Sequence, residues 1–214
     1  LRLDAYAARE IFQPLGLRDT GFLPPAAKHA RVAPTELTAS SMLRGVVHDP
    51  SARAMDGVAG HAGLFTTAED LARFSRMLLG GGQLDGVRIL SEASVAEMTR
   101  VQTDGSNRRG LGWDIDTSYS KPRGELFPLG SYGHTGFTGT SVWIDPASKT
   151  FVILLTSRLH PDGKGNVSEL RHTVGSLAAK AAKVGPASNP PIAGGTAVTR
   201  SPVLNGIDVL KRDG

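Results

Sequence analysis

The sequence predicts a mixed α/β (α+β) fold, an antiparallel sheet flanked by helices, and three stretches carry that reading. In the first, Val142 and Ile144 alternate with Ser141 and Trp143, Asp145-Pro146-Ala147-Ser148-Lys149 supplies turn chemistry, and Phe151 to Thr156 is apolar on both faces. Period-two patterning, a turn and a buried run describe a β-hairpin. In the second, Leu71, Phe74, Met77 and Leu78 form an apolar stripe at helical spacing. Thr66 and Glu69 stand before it as a capping box, and Gly80-Gly81-Gly82 ends it. In the third, Ser168 to Lys183 places Leu170, Val174, Leu177 and Ala181 on one helical face.

The other elements follow in chain order. Leu3, Ala7 and Ile11 lie on one face of a helix that Pro14 and Gly16 stop. Leu17 to Phe22 turns through Asp19-Thr20-Gly21, and Pro24, Pro25 and Pro34 keep Pro24 to Thr38 a loop. Val46 to Pro50 reads as a short extended piece, because a residue before proline avoids the α region. Gly57, Gly60 and Gly63 make the next stretch a glycine-rich loop. Ser91 caps a short helix with Val95 and Met98 inward, and Leu111 to Asp116 alternates as a further strand. Val184 to Pro202, rich in Pro, Gly and small residues, has linker composition, so the expected division is a domain over 1–183, a linker over 184–202 and the start of a second domain over 203–214. Leu1 stands inside a helical pattern with no cap before it, and the chain reads as a piece of something longer.

Composition removes several function classes. A 40% hydrophobic and 21% charged chain of 214 residues is ordinary for a globular protein. The net charge of +4 comes from scattered arginines without a basic run, so no nucleic-acid partner is expected. The absence of Cys removes disulfides, zinc ribbons and thiol nucleophiles. No apolar run approaches the ~18 residues of a membrane helix. His48-Asp49 and His61 carry ligand-type side chains, but no pair sits at i, i+4 on a helix, so neither metal nor cofactor is expected.

The hairpin is entered through Gly133-His134-Thr135-Gly136-Phe137-Thr138-Gly139-Thr140, where glycines let backbone N–H groups approach a bound group. His134-Thr135-Gly136 resembles the third motif of the serine β-lactamase and penicillin-binding-protein superfamily, a triplet that lines the active site on an edge strand. Arg44 to Pro50, with Gly57-Val58-Ala59-Gly60-His61-Ala62-Gly63-Leu64-Phe65, is similar to the class C-like serine hydrolases of bacteria. Gln13 to Phe22 resembles the same family, and the likeness runs in the family's order from Leu1 to about Lys183. It implies a β-lactamase/transpeptidase-like fold, present only in part.

The resemblance also implies the chemistry. In that family a Ser of Ser-x-x-Lys forms the acyl-enzyme, with the Lys and a Tyr of Tyr-x-Asn managing the proton. Both motifs belong upstream of Leu1, and Tyr6, Tyr119 and Tyr132 are not followed by Asn two residues on. The one literal match, Ser118-Tyr119-Ser120-Lys121, precedes Pro122 and Gly124 and reads as a loop rather than the helix that would put Ser and Lys on one face. His134 is expected to bond the substrate or move a proton, Thr135 to offer its hydroxyl, and the Phe137 N–H beyond Gly136 to be half an oxyanion hole. Gly60 and His61 are expected at the substrate pocket, His61 alternatively pinning the glycine-rich loop.

Gly206-Ile207-Asp208-Val209-Leu210 resembles the opening of the exo-β-N-acetylmuramidase family, which implies a fused downstream domain and a peptidoglycan context. Expected substrates are small molecules or peptides: a muropeptide amide, a D-amino-acid peptide, an ester or a β-lactam. The expected location is periplasmic or extracytoplasmic. A cell-wall-binding module of the same fold, without catalysis, is the competing expectation.

Overall fold

A computed structural model describes residues 1–103 and 105–184. Helix α1 (Leu3–Ala7) continues as a π-helical turn (Ala8–Phe12). After β1 (Gly21–Phe22) and a 3₁₀ turn (Ala26–Arg31) come α2 (Pro50–Ala54), β2 (Leu64–Phe65), α3 (Ala68–Leu79), β3 (Gln83–Leu84), β4 (Val87–Arg88) and α4 (Glu92–Thr99). The second half holds β5 (Arg108–Arg109), β6 (Asp114–Asp116), a 3₁₀ turn (Lys121–Arg123), β7 (Tyr132–Thr135), β8 (Ser141–Asp145), β9 (Thr150–Leu154) and α5 (Ser168–Ala181). Strands β5 to β9 form one antiparallel sheet in sequence order, and β1-β2 and β3-β4 are separate two-stranded pairs. The α+β class is therefore as the sequence predicts, and among the described residues no helix is long and apolar enough to cross a membrane.

The hairpin forms from Ser141↔Leu154 to Asp145↔Thr150. Asp145 closes its turn by accepting from the backbone N–H of Ala147 at 3.2 Å and Ser148 at 3.0 Å. What reads in the sequence as the hairpin's entry is a strand of its own: β7 pairs with β8 from Tyr132↔Ile144 to Thr135↔Ser141. The sheet is buried on both sides. Tyr132, Ile144, Met77, Leu78, Val95 and Trp113 share one core with the first helix, whereas Trp143 packs with Phe127, Ala179 and Val184 on the other. Val184, placed at the start of the linker by composition, thus belongs to this packing. The rest of 184–202 and the segment 203–214 lie outside the described residues.

Four local expectations are corrected. The cap of α3 is Thr67, which accepts from the Asp70 N–H at 3.2 Å; Thr66 instead meets the Thr20 hydroxyl at 2.8 Å. That shift follows from Asp70, whose buried carboxylate turns back to accept from the Asp19 N–H at 2.7 Å and the Thr20 hydroxyl at 2.8 Å. On α5, Leu170 and Leu177 are exposed and the buried positions are Gly175 and Ala179. A Cβ at Gly175 would fall 2.1 Å from the Pro122 carbonyl oxygen, so close approach of the 3₁₀ turn selects small residues there. In the first helix the π-helical turn shifts the face, exposing Leu3 and burying Ala7, Phe12 and Leu15. Finally, Val46 to Asp49 holds no strand, and Asp49 caps α2.

Gly133 shows how tightly β7 is held. A Cβ there would lie 2.2 Å from Trp143 Cε3 and 2.3 Å from the Val142 carbonyl oxygen. Gly133→Ala is expected to destabilise the fold by about 1–3 kcal/mol, the usual cost of overpacking, read as a lower urea midpoint. An unchanged midpoint would show that Trp143 is not fixed against the strand.

Candidate active site

The site grows from the end of β7. Tyr132 anchors the strand: it is buried, sits edge-on to Trp113 at 5.1 Å between ring centroids, and burial pushes its phenol up to about 12. Trp113 is thus core packing. Behind the strand, Trp143 Nε1 donates to the Ser131 hydroxyl at 2.8 Å, and that hydroxyl donates to the Pro128 carbonyl at 2.7 Å. β7 is an interior strand of the sheet, not the edge strand expected, because β6 pairs with it. That pairing is a single position, Asp114↔Gly133, so His134 and Thr135 run past it with β8 on one side only.

His134 lies two residues beyond Tyr132, on the same strand face by alternation, and is exposed. Its Nδ1 lies 2.9 Å from the Thr135 carbonyl oxygen. A carbonyl only accepts, so Nδ1 carries the proton and a neutral ring keeps a lone pair free on Nε2. Thr135 is half-buried beside it. The chain then tightens: the Gly136 N–H donates to the Thr140 carbonyl at 2.7 Å, and Gly139 N–H to Gly136 at 3.1 Å. A Cβ on Gly136 would meet Thr140 Oγ1 at 2.2 Å, and Gly139 has φ +124° with Thr156 O 2.7 Å from where a Cβ would be. The N–H groups of Phe137 and Thr138 have no partner among the described residues. An exposed imidazole, a hydroxyl and two N–H groups without a partner among the described residues thus lie within five residues, and these are the donor and acceptor types that an oxyanion site uses.

Phe137 is 70% exposed, with the His48 ring stacked at 5.7 Å and the Arg158 guanidinium 4.3 Å from its ring centroid. His48 Nε2 lies 2.9 Å from Glu36 Oε1. The other expected pocket residues lie apart in their contacts. His61 Nε2 is 3.0 Å from Asp49 Oδ1, the carboxylate that accepts from the Ala52 N–H at 2.7 Å to cap α2. That contact fits the pinning role, and no hydrogen bond joins His61 to the triplet among the described residues. Gly60 faces open space, with nothing within 4 Å of a would-be Cβ. Ser118 stands in a turn before the Lys121–Arg123 3₁₀ turn, and Lys121 Nζ is 3.6 Å from Glu169. The described residues contain no cluster of three or more metal-ligand side chains.

The Ala52 N–H first, then His61, hold the Asp49 carboxyl below its usual range; Arg31, then Lys28, lower Asp19 similarly. Both groups are more acidic folded than unfolded. Their contribution is present above the ordinary carboxylate range near ~4 and is lost as pH falls through their lowered values. The urea midpoint is therefore expected to drop on acidification below about pH 4, and less steeply in Asp49→Asn. An equal slope in the variant would remove Asp49 from the account. His61→Ala is expected to lower the midpoint slightly, as this pair is exposed.

The family model named Beta-lactamase matches residues 2–174. The chain belongs to the Beta-lactamase family. Proteins of Salmonella paratyphi B and Salmonella newport, provisionally named D-alanyl-D-alanine carboxypeptidase, are each 34% identical to it over 182 residues, 74% of this chain. It spans 40% of the length of these relatives. Among solved structures, a β-lactamase from Mycobacterium bovis matches with TM-score 0.56 and 21% identity, over 85% of this chain and 57% of that one. A penicillin-binding-protein homologue from Caulobacter crescentus matches with TM-score 0.52 and 21% identity, over 82% and 52%. At that identity the structures speak for the fold.

In this Beta-lactamase-family chain two site residues escaped the sequence reading, Arg158 and Arg171. Arg158 Nε donates to the Phe137 carbonyl at 2.5 Å, and Arg171 Nη2 donates to the Gly136 and Thr140 carbonyls at 2.8 Å each. Neither belongs to a motif, and both act on backbone groups far away in sequence. Only the fold brings them to the loop.

Proposed function

We propose that this chain forms the oxyanion-binding side of a longer serine hydrolase that removes a terminal D-alanine from peptidoglycan-derived peptides through an acyl-enzyme. The His134–Phe137 segment carries the reading. A serine supplied from outside this chain attacks the peptide carbonyl, and its proton passes to a base outside this chain. The carbonyl oxygen takes the negative charge against the Phe137 N–H, a donor typically worth ~3 kcal/mol of transition-state stabilisation. His134 Nε2 is placed to accept a hydrogen bond or a proton, and the Thr135 hydroxyl to bond the substrate's carboxylate. Collapse of the intermediate expels D-alanine, whose amine nitrogen takes the proton held by that base; water, losing a proton to the same base, then attacks the acyl ester, and the serine oxygen leaves as it regains that proton. The carboxypeptidase names of relatives at 34% identity support this substrate class over an ester or a β-lactam. A fused downstream domain acting on the same polymer, and an extracytoplasmic location, belong to the same proposal.

The test is release of D-alanine from an acyl-D-alanyl-D-alanine peptide. The longer protein is expected to release it, and residues 1–184 alone to show neither release nor acylation by a fluorescent penicillin. Binding of the peptide by the longer protein without turnover would favour the cell-wall-binding module.

A further inference from the structure

All five carbonyls of the loop 136–140 are held. Gly136 O accepts from the Gly139 N–H and from Arg171 Nη2, and Thr140 O from the Gly136 N–H and the same Nη2. Phe137 O accepts from Arg158 Nε, Thr138 O from the Arg158 N–H at 2.9 Å, and Gly139 O from the Thr156 hydroxyl at 2.6 Å. A trans peptide is planar, with its C=O and the following N–H pointing in opposite directions. The Phe137 N–H therefore points away from Arg171, and the Thr138 N–H away from Arg158. These are two donors that find no partner among the described residues.

The cations doing this are unusual. Arg171, at the start of α5, is half-buried, its Nε is buried without a partner, and burial and the neighbouring Arg158 hold its pKa below the usual arginine range. Among the described residues neither guanidinium pairs with a carboxylate; both spend their donors on backbone carbonyls. Two like charges held together without a counter-ion are costly in the resting protein and favour any negative charge that develops nearby.

We propose that Arg171 and Arg158 are positioning residues for the Phe137 oxyanion donor: they fix the 136–137 and 137–138 peptide planes so that its N–H points away from Arg171, and they polarise those peptides toward a developing anion. This rests on the acyl-transfer reading of the site.

The experiment uses the longer protein with Arg171→Met, Arg171→Lys and Arg158→Lys. It compares kcat, KM, inhibition by a boronic acid whose tetrahedral adduct places an oxygen in the hole, and the Phe137 amide resonance. Arg171→Met is expected to lower kcat by about 30-fold, below the 10²–10³ of losing a donor outright, with KM within about two-fold. Boronate inhibition should weaken by the same factor and the Phe137 resonance should shift. Arg171→Lys should lose about 10-fold, since an ammonium lacks the planar fork that spans two carbonyls, and Arg158→Lys a similar amount. Unchanged kcat and boronate inhibition would overturn the proposal, as would losses that merely follow the thermal midpoint. Should Arg171→Met not fold, Arg171→Lys decides on the same readouts. Absence of turnover in the unaltered protein would count against the functional reading; the positioning claim then stands or falls on whether the Phe137 resonance moves.

Discussion

Gly139→Ala is expected to lower kcat/KM of the longer protein by about 10²-fold, the scale of losing an oxyanion donor. Gly139 sits at φ +124°, and an added Cβ would lie 2.7 Å from Thr156 O and 2.8 Å from the Arg158 N–H nitrogen. Those are backbone atoms, so the loop itself must move. An alanine is strained there, at a cost on the order of 1–3 kcal/mol. Displacement breaks the register of Thr138 O on Arg158 and of Gly139 O on Thr156, and with it the direction of the Phe137 and Thr138 N–H groups. Boronate inhibition should weaken together with kcat. A variant that loses only stability, with kcat preserved in the folded fraction, would separate this loop from the chemistry.

His134→Ala is expected to cost about 10²-fold in kcat/KM, at the low end for a positioned proton-transfer group, while folding stays nearly intact. The side chain is exposed, and its hydrogen bond goes to the Thr135 carbonyl beside it, so little packing is lost. His61→Ala should behave in the opposite way, touching stability before rate, because His61 serves the Asp49 cap. Measuring the thermal midpoint and kcat/KM on both variants separates the roles. Full activity in His134→Ala would reduce the triplet to ordinary strand sequence.

What the sequence reveals depends on how local the cause is. The hairpin is readable because Ser141 to Asp145 alternates and Asp145 makes its own turn. Helix α3 is readable from its stripe, but its cap is displaced by one residue because Asp70 and Thr20 recruit Thr66, a tertiary demand. The buried face of α5 is misread for the same kind of reason. Large apolar residues mark a core-facing stripe only where space allows, and the Pro122 carbonyl leaves room at Gly175 for no side chain. Strand β7 is short and half glycine and threonine, so its pairing with β8 has little pattern to show. In the candidate site, His134 to Phe137 is singled out by a family likeness carried by contiguous residues. Arg158 and Arg171 are not, since they recognise carbonyls 21 and 35 residues away, and a carbonyl leaves no mark in a sequence.

The central claim, that this chain supplies the oxyanion side and another segment the nucleophile, is tested most directly by locating the acyl group. The longer protein would be trapped with a penicillin, digested, and the modified peptide found by mass spectrometry. The expected result is one acylated serine, in a Ser-x-x-Lys helix N-terminal to Leu1, with labelling weakened in Gly139→Ala and Arg171→Met. Acylation of a residue within 1–184, Ser118 above all, would contradict the account.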